Sequence, residues 1–254
     1  MIFVYHIKMF NLLLKTHAMR HFFNVLVLIF ISGTAWGQGN SMNDHLDRVD
    51  IFFEKHVKDG FVDYRAIDQE QSGIRQLVKD LATIAPLESQ KKAFWINAYN
   101  ILVIYSVIQS YPTNSVMDDD NFFSKEEHTV SGKKLSLDQL EKELLFEYYP
   151  DARLHFVLVC GAVSCPPLYS GAFRPENLEQ QLAERTAKAI NSDAFIRIDN
   201  KNKRVGLSRI FEWYSADFGG KVNFLSYINR YRKVKIPSQY TTYYYDYIWM
   251  LNGR

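Results

Sequence analysis

The amino-acid sequence predicts a helix-rich α+β fold. Apolar residues recur at helical spacing early in the chain, two polar turns separate strand-like segments farther on, and no regular βαβ alternation is present. The composition, with 47% hydrophobic and 23% charged residues, is that of a globular protein and excludes a disordered chain. We expect a single helix-rich domain with hairpins and a small mixed or antiparallel sheet. One form that this fold can take is papain-like.

The N-terminal segment, residues 1–37, is predicted to be a signal peptide. A basic residue precedes the apolar stretch 22–31, and small residues lead to a cleavage site after Gly37. Met19 is an alternative start of translation. The apolar stretch is shorter than the roughly 20 residues that span a bilayer, so a membrane anchor, retained if the segment is uncleaved, is the weaker interpretation. We expect the mature domain, residues 38–254, to be periplasmic or secreted.

The signal peptide also accounts for the positive charge of the chain. The whole sequence carries 30 basic and 28 acidic residues, a net charge of +2, but residues 1–37 contain three basic residues and no acidic one. Residues 38–254 therefore keep 27 basic residues against 28 acidic ones, a net charge of −1. Nucleic acid is excluded as a partner because its backbone requires clustered cations.

Helices are predicted in order by apolar periodicity and by their start and stop signals. Ser41 and Ser136 each begin a capping box, whereas Gly60 and Pro112 are expected to end helices. The predicted helices span residues 41–57, 71–84, 89–110, 136–148, 175–191, 208–214 and 222–231.

Strands are predicted where short β-prone segments flank polar turns. Ser131-Gly132 and the polar residues 199–203 mark two hairpins. The continuous apolar run at 153–159 is typical of a buried strand, and the tail 241–250 is rich in strand-forming residues. The predicted strands span residues 127–130, 133–135, 153–159, 195–198, 204–207 and 241–250.

Two amides share one face of the helix predicted at 89–110. Asn97 and Asn100 are three residues apart in a segment that is apolar on every side, so both should be buried. Buried amides need hydrogen-bond partners. They either form a structural network that holds a loop or contribute to a catalytic site, where they would orient an imidazole or stabilise an oxyanion.

Both cysteines of the chain lie close to a histidine in one segment. Cys160 and Cys165 are five residues apart, and His155 precedes them. The cysteines could form a disulfide, which an oxidising compartment permits, remain inert thiols, or supply a nucleophile. A zinc site is also considered, but three ligands at this spacing match no strong zinc pattern. No metal and no cofactor is predicted.

Strand parity favours Cys165 as the nucleophile. If residues 153–159 are extended, His155 and Cys160 point to opposite faces, whereas Cys165 can turn back towards His155. Pro166 could be a first helical residue, which would make Cys165 an N-cap with a lowered thiol pKa. Cys165 and His155 are thus the preferred catalytic pair, and His128 is a second candidate for the base.

Candidate substrate contacts surround this pair. Asp217 precedes a Phe-Gly-Gly loop that allows close backbone approach, although a turn or cap role explains it as well. Trp213 and Cys160 complete the predicted contacts. The tyrosines at 243–247 are either an aromatic platform for a sugar or a closing strand. The expected partner is a small molecule, a peptide or a glycan.

Several of these motifs resemble one known family when they are taken in order. They are residues 94–100 (Phe-Trp-Ile-Asn-Ala-Tyr-Asn), 153–156 (Arg-Leu-His-Phe), 160–168 (Cys-Gly-Ala-Val-Ser-Cys-Pro-Pro-Leu), Trp213-Tyr214 and Asp217-Phe218. Together they resemble the bacterial domain-of-unknown-function 547 family over roughly residues 45–252. The resemblance implies sites to inspect rather than an activity. Where that family often has His, this chain has Lys142.

Two main functions are consistent with the sequence, and a redox role for the Cys160–Cys165 pair is a third alternative. In the first, the protein is a secreted cysteine-dependent hydrolase or acyl transferase in which Cys165 attacks an acyl carbon and His155 moves the proton. In the second, it is a non-catalytic extracytoplasmic binding module with a Cys160–Cys165 disulfide. The sequence leaves the choice between an enzyme and a binding protein open.

Overall fold

Helices form most of the first part of the chain in the computed structural model, which describes residues 41–254. The predicted signal peptide lies outside the described residues. The helices are Met42–His56 (α1), Tyr64–Gln69 (α2), Ser72–Thr83 (α3), Lys91–Gln109 (α4), Leu137–Gln139 (α5), Leu178–Ile190 (α6), Ile210–Trp213 (α7) and Phe224–Tyr231 (α8). Helix α5 continues directly as a π-helix, Leu140–Phe146, and a 3₁₀ helix covers Ala152–Phe156.

The strands form small, separate sheets. They are Val57–Lys58 (β1), Phe61–Val62 (β2), His128–Val130 (β3), Lys133–Leu135 (β4), Ile196–Asp199 (β5), Arg204–Leu207 (β6) and Thr241–Tyr244 (β7). β1–β2 and β3–β4 are antiparallel pairs, and in the sheet β5-β6-β7 the last strand is parallel to β6. The described residues belong to one compact unit. The predicted α+β class is confirmed.

The predicted capping box at Ser136 is present, the one at Ser41 is only half formed, and Gly60 has a different role. The Ser41 side chain accepts the N–H of Asp44 at 3.1 Å, and Ser136 and Gln139 cap each other at the start of α5. Helix α1 ends in extended backbone at Val57, and Gly60 lies in the turn between β1 and β2 with φ 90°. A side chain at Gly60 would overlap Pro167, so the residue serves a turn and a close approach.

Helix α4 lies in the larger of two apolar clusters. The second cluster gathers around β5, β6, α7 and α8. Because α4 is surrounded by protein, nearly all of its residues are buried, as its uniformly apolar sequence predicts. Within residues 41–254, no helix combines the length and the hydropathy needed to cross a bilayer.

The prediction of a strand at residues 153–159 is wrong. Residues Ala152–Phe156 form a 3₁₀ helix whose N-cap, Asp151, accepts the N–H of Arg153 at 3.0 Å. The segment is apolar because it passes between the two clusters: Leu154 and Val157 pack in the first, and Phe156 packs in the second. Burial on all sides produces a continuous apolar run in either kind of backbone, so periodicity could not distinguish them.

The predicted C-terminal strand is shorter than expected, and the remaining tail has another role. After β7, the chain runs beside residues 161–164, where Val163 N–H donates to Met250 C=O at 2.8 Å and Asn252 N–H donates to Gly161 C=O at 2.8 Å. These bonds hold the tail against the loop between the two cysteines.

Candidate functional site

A cavity of about 290 Å³ opens between α4, the π-helix, the cysteine loop and the C-terminal tail. Four of the residues predicted for the site line it: His155, Cys160, Cys165 and Trp213. They come from three separate segments of the chain, and the fold brings their side chains together around one cavity.

His155 is held by a carboxylate and by flanking rings. Its Nε2 lies 2.7 Å from Asp217 Oδ2, and its ring lies between those of Phe146 and Tyr214, with centroids 4.4 and 4.1 Å away. Burial lowers the pKa of His155, and the contact with Asp217 opposes that shift only in part. The imidazole is therefore neutral near pH 7 and donates its Nε2 proton to Asp217. Asp217 thus fixes the orientation of the His155 ring, whereas the sequence predicts it as a substrate contact.

The turn that carries His155 is fixed by a charged network. Asp151 receives hydrogen bonds from the Arg153 guanidinium and from Lys92 of α4 at 2.7 to 2.9 Å. Burial disfavours the ionised carboxyl, but these hydrogen bonds outweigh it and lower the pKa of Asp151 to about 2. The 3₁₀ helix is consequently tied to the central helix directly before the cavity.

Cys160 and Cys165 form a disulfide in the cavity wall, with their Cα atoms 6.5 Å apart. The backbone N–H of Cys160 donates to Cys165 Sγ at 3.2 Å, and the Tyr247 hydroxyl donates to the same sulfur at 3.1 Å. Of the interpretations left open by the sequence, the disulfide is the one that the structure contains. In this state Cys165 has no thiol.

Two geometric expectations about this pair are wrong. His155 and Cys160 were expected on opposite faces of a strand, yet both line the cavity because the segment is a 3₁₀ helix followed by a loop. Cys165 was expected to cap a helix beginning at Pro166, yet residues 166–169 are irregular. Cys165 and His155 share the cavity without a hydrogen bond between them in the described residues.

Glu141, on the π-helix, is a cavity residue that the sequence analysis did not select. Its Oε1 accepts a hydrogen bond from Tyr214 at 3.2 Å, and the nearby Tyr99 hydroxyl also favours the ionised carboxyl. Burial raises the pKa of Glu141, and the two tyrosine hydroxyls only moderate the shift. Beside it, Lys142 pairs with Asp138 at 2.8 Å. Lys142, the position at which this chain departs from the resemblance described above, thus lies in the cavity wall.

One wall of the cavity is aromatic. The ring centroid of Trp213 lies 4.9 Å from that of Tyr247 and 5.8 Å from that of Trp249. Trp213 is 48% exposed, so much of its indole remains available for contact. Tyr247 and Trp249 belong to the tail that the cysteine loop holds in place.

Asn97 and Asn100 lie outside the cavity lining and are each 1% exposed. Asn97 bonds the backbone of Phe173 in both directions, at 2.7 and 2.9 Å. Asn100 donates to Val157 C=O at 2.9 Å and accepts the Val159 N–H at 3.0 Å. The structure therefore places both amides in a network that holds two loops, which is the structural alternative rather than the predicted catalytic role.

The residues that sequence reasoning missed had weak local signals. Glu141 directly precedes Lys142, where this chain departs from the resembling family, and Tyr247 belongs to the tyrosine run at 243–247, for which an aromatic platform is one interpretation. The alternative base His128 is buried with its Nε2 3.2 Å from Ser106 Oγ, and it does not line this cavity. Across residues 41–254, no group of three His, Cys, Asp or Glu residues could hold a metal ion.

Comparison with known proteins gives a match to one family model over part of the chain and no activity. Residues 85–189 match the family model described as "Protein of unknown function, DUF547". The matched region contains α4, the π-helix, the His155 turn and both cysteines. No curated protein and no solved structure matches the chain.

Proposed function

We propose that this chain, whose residues 85–189 match the model of a family described without an activity, is an extracytoplasmic protein that binds one saccharide unit in its aromatic cavity. The observation that carries the proposal is the open aromatic wall of Trp213, Tyr247 and Trp249 facing a cavity that also contains the Glu141 carboxyl. The location outside the cytoplasm rests on the predicted signal peptide.

The aromatic wall suits a ring with an apolar face. The half-exposed indole of Trp213 offers a flat surface of large contact area, and its neighbours Tyr247 and Trp249 hold its orientation. A pyranose presents C–H groups on one face and hydroxyls at its edge. It can therefore cover the indole while its hydroxyls remain free for polar partners.

The polar groups of the cavity suit a neutral ligand with hydroxyl groups. Lys142 and Asp138 neutralise each other, and burial raises the pKa of Glu141, which disfavours a full charge there. Glu141 keeps acceptor capacity beyond the Tyr214 hydrogen bond, because a carboxyl group has several lone pairs. It can thus accept from ligand hydroxyls without binding an ion.

The size of the cavity limits the ligand. A volume of about 290 Å³ is at the lower end of small-molecule sites. It accommodates one sugar ring, and the open mouth beside Trp213 allows further units of a chain to extend into solvent. We therefore expect recognition of a terminal unit or of one unit within a flexible glycan.

The test is a titration of the purified chain with cellobiose, maltose and N,N′-diacetylchitobiose, followed by calorimetry and tryptophan fluorescence. We expect at least one sugar to bind and Trp213→Ala to weaken that binding about fivefold, from a stacking contribution of ~1 kcal/mol. Tyr148→Ala is the matched control because Tyr148 is 70% exposed and lies outside the cavity lining.

Three outcomes would overturn the proposal. If none of the sugars binds, the proposal is wrong. If the wild type and Trp213→Ala bind a sugar equally well, the binding site is not at Trp213. Binding of choline without binding of a sugar would replace the saccharide by a cation held on the aromatic rings.

A second candidate function is a cysteine-dependent hydrolase or acyl transferase. It is favoured by one observation: Cys165 and the Asp217-positioned His155 line the same cavity. This function requires the disulfide to be reduced first. After reduction, Cys160→Ala should keep hydrolysis of p-nitrophenyl acetate, whereas Cys165→Ala should lose it. Equal activity of the two variants would exclude Cys165 as the nucleophile.

A further inference from the structure

The Cys160–Cys165 disulfide faces an open cavity and accepts hydrogen bonds at Cys165 Sγ, and a purely structural crosslink needs neither property. We infer that the Cys160–Cys165 bond is a reversible redox site, which accepts two electrons from thiols that enter the cavity, with Cys165 as the leaving thiolate. The inference is independent of the saccharide. It rests on the position of the bond, on the two donors to Cys165 Sγ and on the backbone hydrogen bonds that hold the loop.

The position of the bond allows access. Both cysteines line the open cavity, so a small thiol can reach the disulfide without unfolding of the chain. Cys160 is partly exposed, whereas Cys165 is only 9% exposed. An incoming thiolate therefore meets Cys160 Sγ more readily, and the sulfur displaced by that attack is the buried Sγ of Cys165.

Two hydrogen-bond donors face the displaced sulfur. Cys165 Sγ accepts the N–H of Cys160 at 3.2 Å and the hydroxyl of Tyr247 at 3.1 Å, and the same hydroxyl lies 3.3 Å from Cys160 Sγ. Burial raises the pKa of Tyr247, so this hydroxyl keeps its proton. Donors gain strength when the acceptor becomes an anion, so both stabilise a Cys165 thiolate more than they stabilise the disulfide. Stabilising the reduced form makes a disulfide a better oxidant.

The loop is held without the disulfide. The N–H groups of Val163 and Ser164 donate to the C-terminal tail at 2.8 and 3.2 Å, and Asn252 N–H donates back to Gly161 C=O. On the other side, Asn100 holds Val159. A crosslink between residues only five apart also constrains the unfolded chain little. Opening the bond should therefore leave the loop in place, as repeated exchange requires.

The exchange balances with two equivalents of a monothiol such as glutathione. The first thiolate attacks Cys160 Sγ, the sulfur–sulfur bond breaks, and its electron pair passes to Cys165 Sγ. The second thiolate attacks the glutathione sulfur of the mixed disulfide and releases the Cys160 thiolate, which takes up a proton. The cysteines gain two electrons in total, and glutathione disulfide is the oxidised product.

The test equilibrates the purified full chain in buffers of graded glutathione to glutathione disulfide ratio, followed by acid quenching, alkylation and mass spectrometry. We expect a reversible transition and, in the wild type, a trapped mixed disulfide that maps to Cys160. Tyr247→Phe should shift the equilibrium about tenfold towards the disulfide, which corresponds to ~30 mV. Tyr245→Phe is the matched control because the Tyr245 hydroxyl donates to Phe195 C=O rather than to sulfur.

The outcomes separate this inference from the proposed function. A disulfide that stays oxidised in the folded chain at high glutathione would overturn it, as would a mixed disulfide on Cys165. Equal equilibria for Tyr247→Phe and the wild type would remove the role of the hydroxyl. The mapping on the wild type decides the leaving sulfur even where Tyr247→Phe folds poorly, and no sugar enters any of these measurements.

Discussion

Replacing Asn100 by Ala removes the side chain that links the central helix to the segment between His155 and the cysteines. Asn100 is 1% exposed and exchanges two hydrogen bonds with that segment, one to Val157 C=O and one from Val159 N–H. Both valines are buried, so water does not replace the lost partners. The variant leaves one backbone acceptor and one backbone donor unpaired in the core.

The cost follows from these two groups. An unpaired buried hydrogen-bonding group costs about 1–3 kcal/mol, so the two together should lower the free energy of unfolding by about 4 kcal/mol. With a urea m-value of about 2–3 kcal/mol/M, the unfolding midpoint should fall by about 1.5 M. That loss is a large fraction of the 5–15 kcal/mol typical of a domain.

Urea unfolding followed by circular dichroism measures the effect. Asn43→Ala, at an exposed asparagine of α1, is the control and should change the free energy of unfolding by less than about 0.5 kcal/mol. The reasoning is refuted if Asn100→Ala unfolds at the same urea concentration as the wild type. An unchanged midpoint combined with lost ligand binding would return Asn100 to the functional site.

Two further predictions concern carboxyl groups. The pKa of Asp151 is lowered from 3.8 to about 2, so this group contributes about 2 kcal/mol of stability above pH 4 that is lost as the pH falls towards 2. Asp151→Asn should remove that contribution at pH 7. Its urea midpoint should therefore fall less steeply between pH 4 and pH 2 than the midpoint of the wild type, and an equally steep fall in both proteins would contradict the prediction. Burial raises the pKa of Glu141, so the folded protein binds the proton more tightly and wild-type stability falls as the pH rises above the ordinary glutamate value. Glu141→Gln should therefore have the higher urea midpoint at pH 7 and lose that advantage at pH 4, and a less stable variant at pH 7 would contradict it.

Local signals predicted the local structure well. The capping box at Ser136 and the hairpin turn at Ser131-Gly132 both appear where the sequence indicated them. Each depends on side chains and backbone groups within about four residues, so the information is present in the segment itself. The periodicity of α3 and the apolar character of α4 were sufficient for the same reason.

The site was predicted only in part because its contacts are distant along the chain. His155 and Asp217 are 62 residues apart, and Tyr247 and Cys165 are 82 residues apart. Each of these side chains has a plausible local role, such as a turn residue or a strand tyrosine. The wrong strand at 153–159 then placed His155 and Cys160 on opposite faces, although they share a cavity.

The sequence by itself determined the α+β class, the order of most helices and hairpins, the resemblance to the DUF547 family over residues 85–189 and the segment that contains His155 and both cysteines. Those properties follow from periodicity, caps and motifs that neighbouring residues define. Only the tertiary structure decided that the cysteines are joined, that Asp217 positions His155, that Glu141 lies in the cavity and that the two asparagines hold loops instead. Contacts of this kind depend on how the two apolar clusters bring remote segments together, and a polar side chain acquires its role from the partner it meets there.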